Sequence, residues 1–125
     1  MINPPFTVSE LQQIALEENV NDIGAVKFLS IHSDTKPRHL LFLAHNAERI
    51  EVRIEAVKVL AKHRETTSEY LCELACTAHS VKVGVAAVKV LAARNDSENL
   101  LREVSIYAEI PYVGLSAKKA LNEFD

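Results

Sequence analysis

The sequence predicts an all-α fold, an α-α superhelix of about four helical hairpins and eight helices, on three observations. First, Ala25-Val26-Lys27-Phe28-Leu29 returns as Ala56-Val57-Lys58-Val59-Leu60 and again as Ala87-Val88-Lys89-Val90-Leu91, each time after 31 residues. A weaker copy, Ala117-Lys118-Lys119-Ala120-Leu121, follows after 30. A fixed period of this size belongs to arrays in which each unit buries its apolar face only by stacking on neighbours. Second, only three glycines occur and period-two alternation never persists, which leaves little room for strands. Third, helix-start signals recur between the copies.

Taken in order, the elements follow from those signals. Thr7 and Glu10 fit a capping box, a hydroxyl and a carboxylate three residues apart that satisfy orphan amides reciprocally, ahead of Leu11, Ile14 and Ala15. The first motif helix begins near Asn21. Asp34 or Thr35 opens the next helix, with Pro37 tolerated in its first turn. The second motif helix begins near Glu51. Thr66 with Glu69 repeats the capping device before Leu71, Leu74, Ala75 and Ala78, and the third motif helix begins near Lys82. Asn95 with Glu98 opens the seventh helix before Leu100, Leu101 and Val104, and the eighth begins near Pro111. The repeats run approximately over 7–33, 35–64, 66–94 and 96–124 within a single domain, 1–125. Short connections make sequential helices antiparallel neighbours.

The apolar stripes explain why one hairpin cannot stand alone. Val52, Ala56, Val59, Leu60 and His63 share one side of their helix, and Ile54, Val57 and Ala61 widen the stripe. Val83, Val85, Ala87, Val88, Val90, Leu91 and Ala92 repeat it. Such an arc suits a helix that touches its own partner and adjacent hairpins. Ala56, Ala87 and Ala117 take the close-contact place between stacked helices, and Leu115, Leu121 and Phe124 are expected to seal the last hairpin.

Composition bounds the function. A chain of 125 residues, 48% hydrophobic and 25% charged, is in the globular range. A net charge of −3 exerts no whole-molecule pull toward nucleic acid or acidic lipid. Cys72 and Cys76 make no disulfide framework, and no run of about 18 apolar residues occurs, so a cytoplasmic protein with no membrane partner is expected.

The segment Val52-Arg53-x-x-Ala56-Val57-x-Val59-Leu60-Ala61 and its copy Val83-Gly84-x-x-Ala87-Val88-x-Val90-Leu91-Ala92 resemble HEAT-like repeats, including the phycobilisome-lyase type. The resemblance covers most of the chain and implies that the motif helices line a concave face. In that family an arginine often follows the first valine. Here Arg53 fits, whereas Asp22, Gly84 and Gly114 fill the equivalent places.

One column lies off the apolar stripe. Lys27, Lys58, Lys89 and Lys119 occupy the same repeat position; Gly24, Glu55, Ala86 and Ser116 precede them by one turn, and Ile31, Lys62, Ala93 and Glu123 follow. Aligned ammonium groups beside small residues suit a partner protein with an acidic patch. The resemblance would put them on the concave surface. The expected partner-binding set is Lys27, Glu55, Lys58, Lys62, Lys89 and Lys119. The competing view is that lysine is a helix former spread by duplication, with Glu55 pairing to Lys58.

Other residue clusters carry less. Cys72, Cys76 and His79 share one side of a helix, but a straight helix seldom directs three ligands tetrahedrally at zinc, so no metal or other cofactor is expected. His32 and His63, again 31 apart, suit helix ends as imidazolium, and Arg94 takes that place in the next copy. No phosphate-binding glycine loop, nucleophile elbow or convergent acid pair is present, and a Cys72 or Cys76 nucleophile would need a base, so the chain is expected not to be an enzyme. Tyr107 and Tyr112 could anchor a partner or pack at the end of the array. The expected function is a protein–protein interaction module of adaptor, inhibitor or immunity type. The alternatives are a nucleic-acid binder using the lysine column and an accessory or chaperone-like lyase component. Nucleic acid is disfavoured by the net charge, the lack of tryptophan and the few arginines, of which Arg38, Arg49, Arg53 and Arg64 offer the opportunities for contact.

Overall fold

The structure, a computed structural model, describes residues 5–123. Among them are eight α-helices and no strand: α1 (Val8–Leu16), α2 (Asp22–Ile31), α3 (Pro37–Asn46), α4 (Ile50–Lys62), α5 (Ser68–Thr77), α6 (Val81–Ala92), α7 (Glu98–Tyr107) and α8 (Pro111–Asn122). They fall into two compact units, Met1–Glu65 and Thr66–Asp125.

In the first unit α1 pairs with α2 and α3 with α4, and the two hairpins pack α2 on α4 and α1 on α3. Leu11, Val26, Leu29, Leu40, Leu43, Val52 and Leu60 are buried. In the second unit α5 pairs with α6 and α7 with α8, and α6 lies on α8 and α5 on α7. Leu71, Leu74, Val83, Leu91, Leu101 and Val104 are buried there. The repeated alanines Ala25, Ala56, Ala87 and Ala117 are all buried, as small residues at a close helix contact should be.

Both units share a backbone scaffold. The amide of Glu48, past the end of α3, donates to the Leu16 carbonyl at 2.8 Å, tying the second hairpin to the end of α1. The amide of Glu109 does the same to Cys76 at 2.9 Å, past the end of α7. Each bond occupies a carbonyl that α1 or α5 leaves open at its C-terminus. Side chains close the hairpins at their other end. His63 Nε2 meets the Thr35 carbonyl at 2.8 Å, and Arg94, 31 residues later, donates to the Thr66 carbonyl at 3.1 Å.

Several start signals differ from the sequence reading. Thr7 and Glu10 do form the reciprocal box, at 3.1 and 2.9 Å. The cap of α5 is Thr67, whose hydroxyl accepts from the Tyr70 amide, while the Thr66 hydroxyl is buried without a hydrogen-bond partner. A shift of one residue was invisible because two threonines adjoin. Helix α7 begins from Ser97, not Asn95; the Ser97 hydroxyl turns back to the Arg94 carbonyl. Helix α3 is preceded by Lys36, whose amide donates to His39 Nδ1 at 2.9 Å, a role the sequence reading gave to Asp34 or Thr35. Leu115 is 60% exposed and seals nothing; Leu121 is half-buried, and Phe124 lies outside the described residues.

Candidate partner-binding grooves

The repeated lysines stand on α2, α4, α6 and α8 at the position after two buried residues, Ala and Val, or on α8 after Ala117 and the exposed Lys118. The turn of about 100° per residue carries them out of the core, and Lys27, Lys58, Lys62, Lys89 and Lys119 are all exposed. Two grooves result, one within each unit.

In the first unit Lys27 of α2 and Lys58 and Lys62 of α4 line a groove of about 320 Å³ together with Ser30, Glu55 and His63. Val59 is the one apolar residue among those that line it. No ion pair joins Glu55 to Lys58, contrary to the pairing the spacing suggested, and among the described residues none of these lysines has a carboxylate partner. At the edge, His63 Nδ1 accepts from the Glu65 amide at 3.1 Å, which leaves Nε2 to donate to Thr35. His32 Nδ1 likewise accepts from the Asp34 amide at 3.1 Å. Each ring thus ties the turn that follows its helix, through a backbone amide two residues on.

In the second unit Lys89 of α6 and Lys119 of α8 border a wider groove of about 560 Å³. Val85, Val88, Ala92 and Ala120 lie along it, as do Tyr112 and Leu115 from α8, with Glu123 at the end of that helix. Six expected site residues therefore divide as Lys27, Glu55, Lys58 and Lys62 in one groove and Lys89 and Lys119 in the other.

The sequence reading missed the buried charge beneath the first groove's helices. Asp22, at the repeat position filled by Arg53, Gly84 and Gly114 elsewhere, is 1% exposed. It accepts from Arg49 Nε at 2.8 Å and from a second guanidinium nitrogen at 3.1 Å, a forked charge-assisted bond across the hairpins. The Arg49 bond holds the Asp22 carboxyl below its usual range against the opposing push of burial, and the Ile23 and Asn19 amides help. The available signal was an acid at a position that two other copies, Gly84 and Gly114, keep inside. His39 is also shifted down, first by burial and then by Arg38 and Lys36, which fits its ring accepting from Lys36.

The two thiols are not poised for chemistry. Burial, then Cys76 and Glu103, push Cys72 up to about 12. Its thiol lies 3.6 Å from both the Leu100 carbonyl and a Glu103 carboxylate oxygen, where it donates. Burial also pushes Cys76 up. A nucleophilic cysteine needs the opposite shift. Among the described residues no three of His, Cys, Asp and Glu are grouped so as to hold a metal ion, and no helix is long and apolar enough to cross a membrane.

Comparison with protein-family models, with curated proteins and with solved structures finds no match to this chain.

Proposed function

We propose that this chain is a protein–protein interaction module, an adaptor, inhibitor or immunity-type protein without catalytic activity, that holds an acidic patch of a partner against its repeated lysines. One observation carries the reading: Lys27, Lys58, Lys62, Lys89 and Lys119 stand exposed along grooves, and none is spent on an ion pair with a described residue. Unpaired cations in a recess lose little on meeting carboxylates and attract them over about a Debye length. Glu55 would orient a partner's cation within the first groove.

A HEAT-like superhelix of the phycobilisome-lyase type belongs to the same proposal, supported by the unbroken 31-residue interval through Leu29, Leu60 and Leu91. A cytoplasmic setting is supported by the two free thiols. Nucleic acid is the weaker partner class because the whole chain carries −3.

Capture of the native partner from lysate, identified by mass spectrometry, tests the reading. The double substitution Lys58→Glu with Lys89→Glu should leave the circular dichroism spectrum intact and reduce capture by about tenfold or more, with wild-type capture weakening as salt rises. Unchanged capture and salt dependence would make the column a solubility feature. Salt-dependent binding of plain duplex DNA in preference to protein would move the assignment to nucleic acid.

A further inference from the structure

The second unit's groove differs from a purely cationic surface in one respect: it exposes large apolar side chains between its lysines. Tyr112 and Leu115, three residues apart on α8, are 62% and 60% exposed. They face a groove that Val85 and Ala92 of α6 continue, and Lys89 and Lys119 stand on its two helices. Residues three apart share one helix face, so Tyr112 and Leu115 form one apolar wall. About 560 Å³ is room for one or two bulky side chains rather than for a whole folded surface.

The chemistry this selects is specific. A bare polyanion would satisfy the lysines but leave Tyr112 and Leu115 in water. An uncharged apolar segment would cover the wall and strand two ammonium groups at its edge, where loss of water is costly. We infer that the groove between α6 and α8 takes a short acidic segment of a partner protein that carries at least one large apolar side chain. The apolar anchor lies against Tyr112 and Leu115, and flanking carboxylates reach Lys89 and Lys119. Glu123, at the far end, sets a direction by repelling an acid placed there. This rests on the reading that the lysine column binds acidic partners, and adds what kind of acidic segment the second unit accepts.

The test is selection of random twelve-residue peptides displayed on phage against the full chain. Winners are then measured by fluorescence anisotropy on wild type, on Lys89→Glu with Lys119→Glu, and on Tyr112→Ser with Leu115→Ser. All four side chains are exposed, so both variants should keep the wild-type circular dichroism. The expected winners combine Asp or Glu with Leu, Ile, Phe or Trp, and each variant weakens them by about tenfold or more, as loss of a central anchor does. Winners that are acidic without an apolar anchor, and indifferent to the Tyr112/Leu115 change, would overturn this inference and leave the lysine reading standing. No enrichment, or winners indifferent to both pairs of changes, would overturn both.

Discussion

Between its hairpins the first unit buries a carboxylate, Asp22, under the forked guanidinium of Arg49. At the equivalent position the second unit has Gly84, and Val113 of α8 fills the space where a side chain would be: a β-carbon on Gly84 would fall inside contact distance of Val113 Cγ2. Arg53, the next copy of that position, donates to the Ala47 carbonyl at 2.6 Å, while Gly114 brings α8 against the Ser105 carbonyl of α7. The backbone bridges from Glu48 and Glu109 are the same in both units. One repeat position thus solves one packing problem in two currencies, charge and close approach. The backbone scaffold is what the repeat preserves, and the side chains at the seam are free to diverge.

The largest effect should come from breaking the charged solution. Asp22→Ala removes charge-assisted bonds from a buried site and should cost about 1–3 kcal/mol in chemical denaturation. Arg49→Met should cost more than Asp22→Ala, because it leaves the buried carboxylate without its guanidinium, whereas Arg49 alone can turn to water. Equal losses would mean that the Ile23 and Asn19 amides already satisfy the acid.

The fitted solution should fail through volume. Alanine at Gly84 gains about 1 kcal/mol of helix propensity but drives a β-carbon into Val113, which is fully buried and cannot swing away. Overpacking of this kind costs about 1–3 kcal/mol. A net loss is expected, and Val113→Ala in the same chain should recover part of it. A double-mutant cycle with no coupling would remove the Gly84–Val113 contact from the account.

The two units should also respond to opposite ends of the pH scale. The folded values of Asp22 and His39 lie below their ordinary 3.8 and 6.5, so the unfolded chain binds protons first on acidification. The first unit's stability should therefore fall as pH drops below 6.5, and again below 3.8. Cys72 and Cys76 are raised from 9.0, so the unfolded chain releases protons first, and the second unit should weaken as pH rises from 9.0 toward about 12. Amide exchange resolved by helix measures this: α2–α4 should open first in acid and α5–α6 first in alkali. Uniform opening at both extremes would show that these groups do not set the local stability.

Much of this was legible in the residues. The 31-residue interval located the buried alanines and the exposed lysines, because a helix turns every residue by a fixed angle and a duplicated stripe must face the same way. Capping failed where two hydroxyl residues adjoin, at Thr66 and Thr67, since both satisfy the local rule and only packing decides which is buried. Leu115 failed for a related reason. It stands where Ile23, Ile54 and Val85 stand, each half-buried, and hydrophobicity alone does not tell a covered copy from an uncovered one. The lysines could be aligned from the sequence, but the apolar wall beside Lys119 needed the exposure of Tyr112 and Leu115.

The smallest effect should come from the one glycine that close packing does not require. Gly24 lies within α2, yet a β-carbon there would meet nothing within 4 Å. It opens instead on a hollow of about 230 Å³ lined by Phe6, Leu11, Ile14 and Phe28. Gly24→Ala keeps the helical backbone, reduces the freedom of the unfolded chain and meets no neighbour. It should stabilise by about 0.5–1 kcal/mol. Set beside Gly84→Ala, the same substitution in an equally helical setting should therefore change sign, because only one of the two glycines has a neighbouring helix in the space. Denaturant midpoints at unchanged slope would measure both. Matching signs would mean that helix propensity alone, not the approach of Val113, governs these positions.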